Sequence, residues 1–166
     1  MKNIFFVILF LFSFNSYSAG SKIDIPKYDW SWKGFFGTYD RASAQRGLKV
    51  YREVCAGCHS MNYLSYRNLG DLGFSEDHIK AIAAENLILD GPNDEGEMFE
   101  RDGLPSDQFV NPYANNKAAR AANNGAYPPD LSLIVKARPK GADYVKSLLL
   151  GYVDPPKDMT IPSGQH

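Results

Sequence analysis

The residues with the clearest chemical potential in this sequence are two cysteines and a histidine, in the segment Cys55-Ala56-Gly57-Cys58-His59. The pattern C-x-x-C-H is typical of sites at which a haem is attached covalently. Two intervening residues set a distance at which both thiols reach the two vinyl groups of one porphyrin and form thioether bonds. The histidine after the second cysteine then lies under the iron as its proximal ligand. The segment predicts one covalent c-type haem, held by Cys55, Cys58 and His59.

Three other interpretations of the two cysteines remain open from the residues alone. A thiol–disulfide redox pair needs a thioredoxin-like strand and helix around it, whereas this motif follows a predicted helix. A zinc site needs further ligands and usually a second pair of cysteines, and the sequence has two cysteines in all. A structural disulfide is compatible with an exported protein. The other histidines, His78 and His166, lie far from the motif and do not form a spaced pair.

The N-terminus has the features of an export signal. Lys2 supplies the positive charge, and residues 4–14 form a short apolar run. Small residues at Ser16 and Ser18 fit a signal-peptidase site, so residues 1–18 are predicted to be a signal peptide that is cleaved after Ser18. In a bacterium the mature chain would then lie on the periplasmic side. Export agrees with the haem prediction, because c-type haem is attached outside the cytoplasm.

The composition is that of one folded domain. The chain has 166 residues, of which 44% are apolar, 22% charged and 13% aromatic, and this rules out a disordered chain. The formal net charge of -1 argues against nucleic-acid binding, which needs a dense basic surface. No apolar run approaches the roughly 18 residues that a membrane-spanning helix needs. We therefore expect a single domain over residues 19–166.

A helix is predicted to lead directly into the cysteine motif. Apolar residues recur at positions 44, 48, 51 and 55, which share one face of a helix. This periodicity predicts a helix over residues 40–54, with Thr38 or Asp40 as its N-cap. Gly57 is expected to end it.

Four further helices are expected downstream, separated by long loops. They cover residues 75–89, with Ser75 as N-cap, residues 114–122, a segment capped by Asp130, and residues 142–150. The helix over residues 75–89 is expected to face inward with Ile79, Ile82 and Ala83. The helix capped by Asp130 would do so with Leu131, Ile134 and Val135, and the last helix with Tyr144, Val145, Leu148 and Leu149. Strand signals are few, so the chain is predicted to be mostly α.

Beyond the haem motif, long strings of residues resemble the cytochrome c1 family, the haem subunit of the cytochrome bc1 complex. The resemblance begins at WSWKGFFGTYD (residues 30–40), includes NPY (residues 111–113) and is strongest at ARAANNGAYPPDLS (residues 119–132). It covers nearly all of the mature chain. It implies a class I c-type cytochrome-like haem domain, mostly α with long loops, and one covalent haem c.

The resemblance also implies roles for residues that have ordinary structural interpretations by themselves. Arg138 and Tyr144 match residues that contact a haem propionate, which a guanidinium can bind through two hydrogen bonds. Without the resemblance, Arg138 would be a surface cation near a helix C-terminus and Tyr144 a core residue. Asn123 matches a residue of the haem pocket, although alone it indicates a helix C-cap. A carbonyl of the Pro128-Pro129 pair is expected to accept the Nδ1 proton of His59.

The family supplies its sixth iron ligand, a methionine, and a C-terminal membrane helix from a region beyond the matching end of this sequence. The methionines present do not occupy the expected context: Met61 is too close to His59 to reach the opposite face of the haem, and Met159 does not align. We therefore expect this chain to be truncated at its C-terminus, with an open or substituted sixth position.

By this resemblance the function is one-electron transfer, from the Rieske iron–sulfur subunit to a soluble or membrane-anchored cytochrome c. The chain would associate with cytochrome b at the periplasmic face of the bacterial inner membrane, as a subunit without bond-making catalytic residues. The acidic residues 90–107 are expected to help dock a basic cytochrome c, or else to form a solvated loop. The alternative is an independent periplasmic haem protein with an open sixth site, a peroxidase or a gas sensor, for which His78 is a weak distal candidate.

Overall fold

The computed structural model describes residues 24–161, so the predicted signal peptide over residues 1–18 lies outside the described residues. Helices predominate over strands in this part of the chain, as predicted. The elements in chain order are α1 (Arg41–Glu53), a 3-10 turn (Cys55–Gly57), a longer 3-10 helix (Tyr66–Leu72), α2 (Glu76–Ala84), β1 (Leu87–Asp90), β2 (Phe99–Asp102), α3 (Asn116–Ala122), α4 (Ile134–Ala137) and α5 (Ala142–Leu150).

Helix α1 begins where the sequence indicates and continues into the cysteine motif. The Asp40 carboxylate is its N-cap and accepts a hydrogen bond of 3.1 Å from the backbone N–H of Ser43. Of the two predicted caps, Asp40 is therefore the one used. Tyr51 is buried, and Leu48 and Cys55 pack against the same core, so the predicted apolar face of α1 is the face that the fold covers.

The core joins α1, the 3-10 helix and α2. Phe109 stacks on Tyr66 with ring centroids 4.7 Å apart, and it meets the Tyr51 ring edge-on at 6.0 Å. The buried residues of this cluster are Tyr51, Tyr66, Leu69, Ile79, Ala83 and Phe109. Packing of this kind fixes the last turn of α1, and hence the start of the cysteine motif, relative to the rest of the chain.

Helix α2 ends earlier than predicted, because the chain turns into a strand. Ser75 caps the helix as expected, but α2 stops at Ala84 instead of residue 89. Residues 87–90 pair with residues 99–102 as an antiparallel hairpin, in which Leu87 lies opposite Asp102. The acidic stretch 90–107 is therefore not wholly a loop, since β2 lies within it. A hairpin pairing depends on residues some 15 positions apart, which helical periodicity does not report.

The predicted helix after Asp130 begins four residues later, at Ile134, with Leu133 in the N-cap position. Asp130 is not its cap, because its carboxylate accepts hydrogen bonds from residues 60 and 62 as well as from residue 132. Helix α3 begins within two residues of its predicted start, with Asn115 as N-cap. Its last residue is Ala122 and its C-cap is Asn123, after which Asn124 and Gly125 have φ of 51° and 85° and so adopt the left-handed conformation that stops a helix.

Helix α5 has the predicted bounds, but its C-terminal leucines do not face inward. Leu148 and Leu149 are 50% and 65% exposed, whereas Asp143 in the first turn is buried. Asp143 is buried because residues 28–33, here called the N-terminal segment, lie across it. The backbone N–H of Tyr28 and the Nε1–H of Trp30 donate to its Oδ1 at 3.2 and 2.6 Å. Within residues 24–161, no helix combines the length and the apolar character that a membrane crossing requires.

Candidate haem site

The cysteine motif forms a single tight turn at the end of α1. The N–H groups of Cys58 and His59 both donate to the carbonyl of Cys55, at 3.1 and 2.8 Å. The two thiols and the imidazole are thus carried by one 3-10 turn and the residues that directly follow it. Both cysteines are free thiols, with Cys55 half-buried and Cys58 exposed. The disulfide interpretation left open by the sequence is therefore not the state of this structure.

The ring of His59 is oriented by a carbonyl from a distant part of the chain. Its Nδ1 lies 2.7 Å from the carbonyl oxygen of Pro129, 70 residues further along. A carbonyl oxygen accepts but cannot donate, so Nδ1 carries the ring proton and the Nε2 lone pair is left to bind a metal. The hydrogen bond also makes the imidazole a stronger ligand.

The backbone of His59 is held from the core side by Tyr51. The Tyr51 hydroxyl donates to the carbonyl oxygen of His59 at 3.1 Å. Burial, with a smaller contribution from the negative charge of Asp130, raises the pKa of Tyr51 to about 12. Tyr51 therefore remains a protonated donor at neutral pH. Its ring is buried in the core, so the hydrogen bond connects the ligand to the hydrophobic core of the fold.

A cavity of about 170 Å³ adjoins the second cysteine. Its walls come from Cys58, Ser60 and Asn62, from residues 111–116 with Ala119, and from Tyr127 and Pro128. The Tyr113 hydroxyl points at the Cys58 sulfur at 3.8 Å and accepts a hydrogen bond of 3.1 Å from Asn123 Nδ2. Asn123, which was singled out in the sequence, thus reaches Cys58 through Tyr113. Tyr113 itself was missed as a site residue, although it lies in the NPY string that carries the family resemblance.

Asp130 is a second residue beside the site that sequence reasoning placed elsewhere. Its Oδ2 accepts hydrogen bonds from Ser60 Oγ at 2.8 Å, Asn62 N at 2.8 Å and Asn62 Nδ2 at 2.9 Å. Its Oδ1 accepts one of 2.8 Å from the N–H of Ser132. Burial by itself would raise the pKa of Asp130, but these hydrogen bonds outweigh it and lower the pKa to about 2. The sequence feature that could have indicated this place beside the site is the position of Asp130 directly after Pro129.

Arg138 and Tyr144 are not joined to the cysteine motif by any hydrogen bond among the described residues. Arg138 follows α4, and its Nη1 lies 3.4 Å from the carbonyl oxygen of the adjacent Ala137. Tyr144 lies in α5, half-buried. The propionate contacts implied for these two residues therefore stay a prediction.

The donor set fits a covalent haem better than the other centres considered. Two free thiols lie on one turn, and the adjacent imidazole has its Nδ1 already engaged, which is the arrangement that covalent attachment and proximal ligation require. Within residues 24–161, no group of three or more histidine, cysteine, aspartate and glutamate side chains is placed to hold a metal ion, so the zinc interpretation has no support there.

Comparison with known proteins agrees with the geometry. Residues 30–166 match the family described as the Cytochrome C1 family. The chain is 51% identical over 160 residues to "Cytochrome c1 1, heme protein, mitochondrial" of Arabidopsis thaliana, which covers 94% of this chain and 52% of that protein. It is 57% identical over 130 residues to the cytochrome c1 of Rhodospirillum rubrum, with 78% of this chain and 48% of that protein covered.

A third relative, the "Cytochrome b-c1 complex catalytic subunit, mitochondrial" of Candida albicans, is 51% identical over 142 residues, which cover 85% of this chain and 49% of that protein. The chain spans about half the length of the curated relatives it matches. The match to the family covers residues 30–166, the range in which the cysteine motif, Pro129 and the residues that line the cavity lie. The chain therefore belongs to the cytochrome c1 family, which is characterised by one covalent haem c.

Proposed function

We propose that this chain carries one haem c at Cys55 and Cys58, with His59 as proximal ligand, and transfers single electrons as a subunit of a cytochrome bc1 complex. The observation that carries the proposal is the turn on which two free thiols precede an imidazole whose Nδ1 is held by the Pro129 carbonyl. When bound, the haem supplies a reversible one-electron couple. The named relatives, which include a subunit of a cytochrome b-c1 complex, support the assignment to that complex.

The role of the chain's own residues is to hold and tune the cofactor. Pro129 and Tyr51 fix the ring and the backbone of His59. Tyr113 borders Cys58 in the adjoining cavity and would flank its thioether, and Asn123 holds the Tyr113 hydroxyl in place. Arg138 and Tyr144 would contact a propionate, as the family resemblance implies. The sixth iron ligand would be a methionine supplied from a region C-terminal to the matched residues, together with the membrane helix of the family.

The proposed partners follow from the place of the family in the bc1 complex. The electron donor would be the Rieske iron–sulfur subunit and the acceptor a soluble or membrane-anchored cytochrome c, while cytochrome b would hold the chain in the complex. After export and cleavage behind Ser18, the domain would lie on the periplasmic face of the bacterial inner membrane.

The exposed part of the acidic region 90–107 offers a docking surface for a basic cytochrome c. Asp90 and Asp107 both pair with Arg101, so one of their two negative charges is compensated within the fold. Three carboxylates on the connection between β1 and β2 are exposed to solvent, namely Asp94, Glu95 and Glu97. Complementary charge of this kind speeds encounter at low salt.

An independent haem enzyme or gas sensor with an open sixth site is the alternative function. It requires a polar distal residue close to the haem. His78, the candidate weighed for that role, is exposed in the first turn of α2, and it does not line the cavity beside Cys58. The described structure therefore contains no observation that favours this alternative.

The deciding experiment is the visible spectrum of the reduced protein, produced in an exporting host that has haem-attachment machinery. We expect a covalent c-type haem that stays with the chain after denaturation, and its loss from the Cys55→Ser/Cys58→Ser variant. His78→Gln is the matched control for His59→Gln: the first should leave the spectrum unchanged and the second should alter it. A correctly exported wild-type chain without covalent haem would overturn the proposal.

Carbon monoxide then separates the two functions. We expect weak or no binding once the chain is extended to include the family's methionine region, because a strong sixth ligand occupies the iron. Ready binding in the extended chain would instead favour the open-site enzyme or sensor.

A further inference from the structure

The segment that follows His59 and the segment that follows Pro129 are clasped together by one side chain. The Asp130 carboxylate accepts three hydrogen bonds from residues 60 and 62 and a fourth from the backbone N–H of Ser132. Ser60 is 8% exposed, so the clasp is largely shielded from water on that side. It joins positions about 70 residues apart in the chain.

Two further hydrogen bonds run alongside the carboxylate and set the register of the two segments. The N–H of Leu131 donates to the carbonyl of Ser60 at 2.9 Å, and the N–H of Tyr63 donates to Ser132 Oγ at 3.1 Å. The hydrogen bond between His59 Nδ1 and the Pro129 carbonyl lies directly at the end of this ladder. Each partner of that bond is therefore the immediate neighbour of a clasped residue.

We propose that Asp130 is a positioning residue for the iron ligand, which holds the Pro129 carbonyl against Nδ1 of His59. The inference rests on the proposed function, since it concerns the ring that would bind the haem iron. The four donors that converge on the carboxylate are neutral, so the negative charge makes each of these hydrogen bonds stronger than a neutral pair would be. Without the carboxylate, three groups near the ligand lose their acceptor, and the ladder that sets the distance from Pro129 to His59 weakens.

The clasp has a chemical consequence at the ligand. A proximal imidazole whose Nδ1–H donates to a fixed acceptor is a stronger base toward the metal, which favours the oxidised iron and lowers the midpoint potential. When the carbonyl can move away, the imidazole becomes a weaker donor and the potential rises. Loss of the negative charge of Asp130 also raises the potential, so the test must separate position from charge.

The pair Asp130→Ala and Asp130→Asn makes this separation in the haem-loaded chain. Both variants remove the charge, but the amide oxygen of the asparagine keeps an acceptor for Ser60 and Asn62. We expect a positive shift of the midpoint potential in both, and a distinctly larger shift in Asp130→Ala. Asp71→Asn, at an exposed aspartate of the long 3-10 helix, measures the effect of losing a surface charge, and its shift should be smaller than either.

Hydrogen exchange followed by mass spectrometry provides the second measurement. The amides of residues 60–63 and 131–132 should exchange faster in Asp130→Ala than in Asp130→Asn, whereas amides in α5 should not change. Equal potentials in Asp130→Ala and Asp130→Asn would overturn the inference, because charge alone would then explain the shift. Faster exchange without the larger potential shift would also overturn it, since the clasp would be structural and would not reach the ligand.

If Asp130→Ala does not fold, Asp130→Asn is compared with Asp130→Asn/Ser60→Ala. These two proteins have the same charge and differ in the Ser60 hydroxyl, which donates to residue 130 and accepts a hydrogen bond from Asn62 Nδ2. A further positive shift in the double variant supports the inference, and identical potentials overturn it. The wild-type haem content keeps this outcome separate from the proposed function: a wild-type chain without haem refutes the function, whereas a loaded wild type with equal variants refutes the clasp alone.

Discussion

Asp130 and Asp143 each join segments that lie far apart in the chain, but the two carboxylates differ in what they connect. Asp130 receives neutral donors from residues 60, 62 and 132, and connects the two segments that hold the His59 ring. Asp143 receives the Trp30 indole and the Tyr28 amide, with the Lys33 ammonium 3.7 Å away, and connects the N-terminal segment to α5. A carboxylate that accepts several hydrogen bonds therefore supports the iron ligand at Asp130, and it supports the packing of the N-terminal segment on α5 at Asp143.

The surroundings of the two residues explain this division. Beside Asp143, Trp30 stacks on Trp32 at 4.5 Å, and the Lys146 ammonium lies 5.2 Å from the Trp30 ring centroid. This aromatic segment has many contacts of its own, so its position depends on packing as well as on the carboxylate. At Asp130, Met61 and Leu131 pack against the core, and the two segments are joined to each other by the hydrogen bonds of the Asp130 carboxylate and of the neighbouring backbone. The comparison predicts that Asp143 variants change stability without affecting the ligand, and that Asp130 variants affect the ligand as well.

A large stability effect without an effect at the ligand should come from Asp143→Ala. The substitution leaves the Trp30 indole N–H and the Tyr28 amide without their acceptor, and it releases the N-terminal segment from α5. We expect the melting temperature of the haem-loaded chain to fall by roughly 5 °C, measured by circular dichroism, with no change in midpoint potential. Asp143→Asn, which retains one acceptor oxygen, is the control and should lose less. A potential shift as large as that of Asp130→Ala would break the comparison.

Acid should weaken both connections in the same direction. Hydrogen bonds lower the pKa of Asp130 to about 2, and the bond from Trp30 lowers the pKa of Asp143 below its ordinary value. A carboxyl whose pKa is lower in the folded state stabilises that state fully above its unfolded pKa of about 4, and the contribution disappears as the pH falls toward the folded value. The melting temperature should therefore drop between about pH 4 and pH 2.

The control for the acid effect is Asp130→Asn, which cannot titrate at this position. Its melting temperature should be lower than that of the wild type at pH 7, and the difference should shrink as the pH approaches 2. A difference between the two proteins that stays constant over this range would show that the Asp130 charge does not stabilise the fold.

Tyr51→Phe tests the connection of His59 to the core, and a smaller loss is expected. The variant keeps the buried ring and removes the hydroxyl that donates to the His59 carbonyl. The free energy of unfolding should fall by about 1 kcal/mol, in a denaturant titration that uses the spectrum of the haem as the signal. Tyr63→Phe removes a hydroxyl from a tyrosine that is 72% exposed and should cost almost nothing. Equal losses in the two variants would contradict the assigned role of Tyr51.

The smallest effect on stability is expected at the hairpin, where the carboxylates serve as docking charges in our proposal. The triple variant Asp94→Asn/Glu95→Gln/Glu97→Gln should change the free energy of unfolding by less than about 0.5 kcal/mol, because the turn is held through Asn93 Oδ1 and backbone N–H groups. It should slow electron transfer to a basic cytochrome c several-fold at low salt, as measured by stopped flow, and the difference should vanish at high salt.

The triple variant Asp71→Asn/Asp154→Asn/Asp158→Asn is the control for net charge, since it removes the same three charges at exposed positions outside the hairpin. An equal slowing in this control would show a general charge effect, and an unchanged salt dependence in the hairpin variant would favour a hairpin that is merely solvated.

Local features of the fold could be predicted from the sequence because they depend on residues a few positions apart. The Asp40 cap, the face of α1 that packs at Tyr51 and the Ser75 cap all follow from spacings within one or two helical turns. The haem motif belongs to the same class, since two residues between the cysteines suffice to indicate its chemistry. The family resemblance then added residues that have no distinctive local signal.

The tertiary structure decided everything that requires two distant segments. Helix α2 ends early, because the backbone of residues 87–90 pairs with residues 99–102 instead of continuing the helical hydrogen bonds. Asp143 became buried and Leu148 exposed, because the N-terminal segment crosses the first turn of α5 and not its last. Asp130 does not cap a helix as expected, because donors 68 to 70 residues away give its carboxylate more hydrogen bonds than one helix terminus would.

The sequence by itself thus determined which groups meet on one turn, Cys55, Cys58 and His59, because covalent spacing brings them together whatever the rest of the chain does. Only the tertiary structure decided how the His59 ring is oriented. That orientation depends on a carbonyl at Pro129 and a carboxylate at Asp130, which reach the ring through the packing of the whole domain.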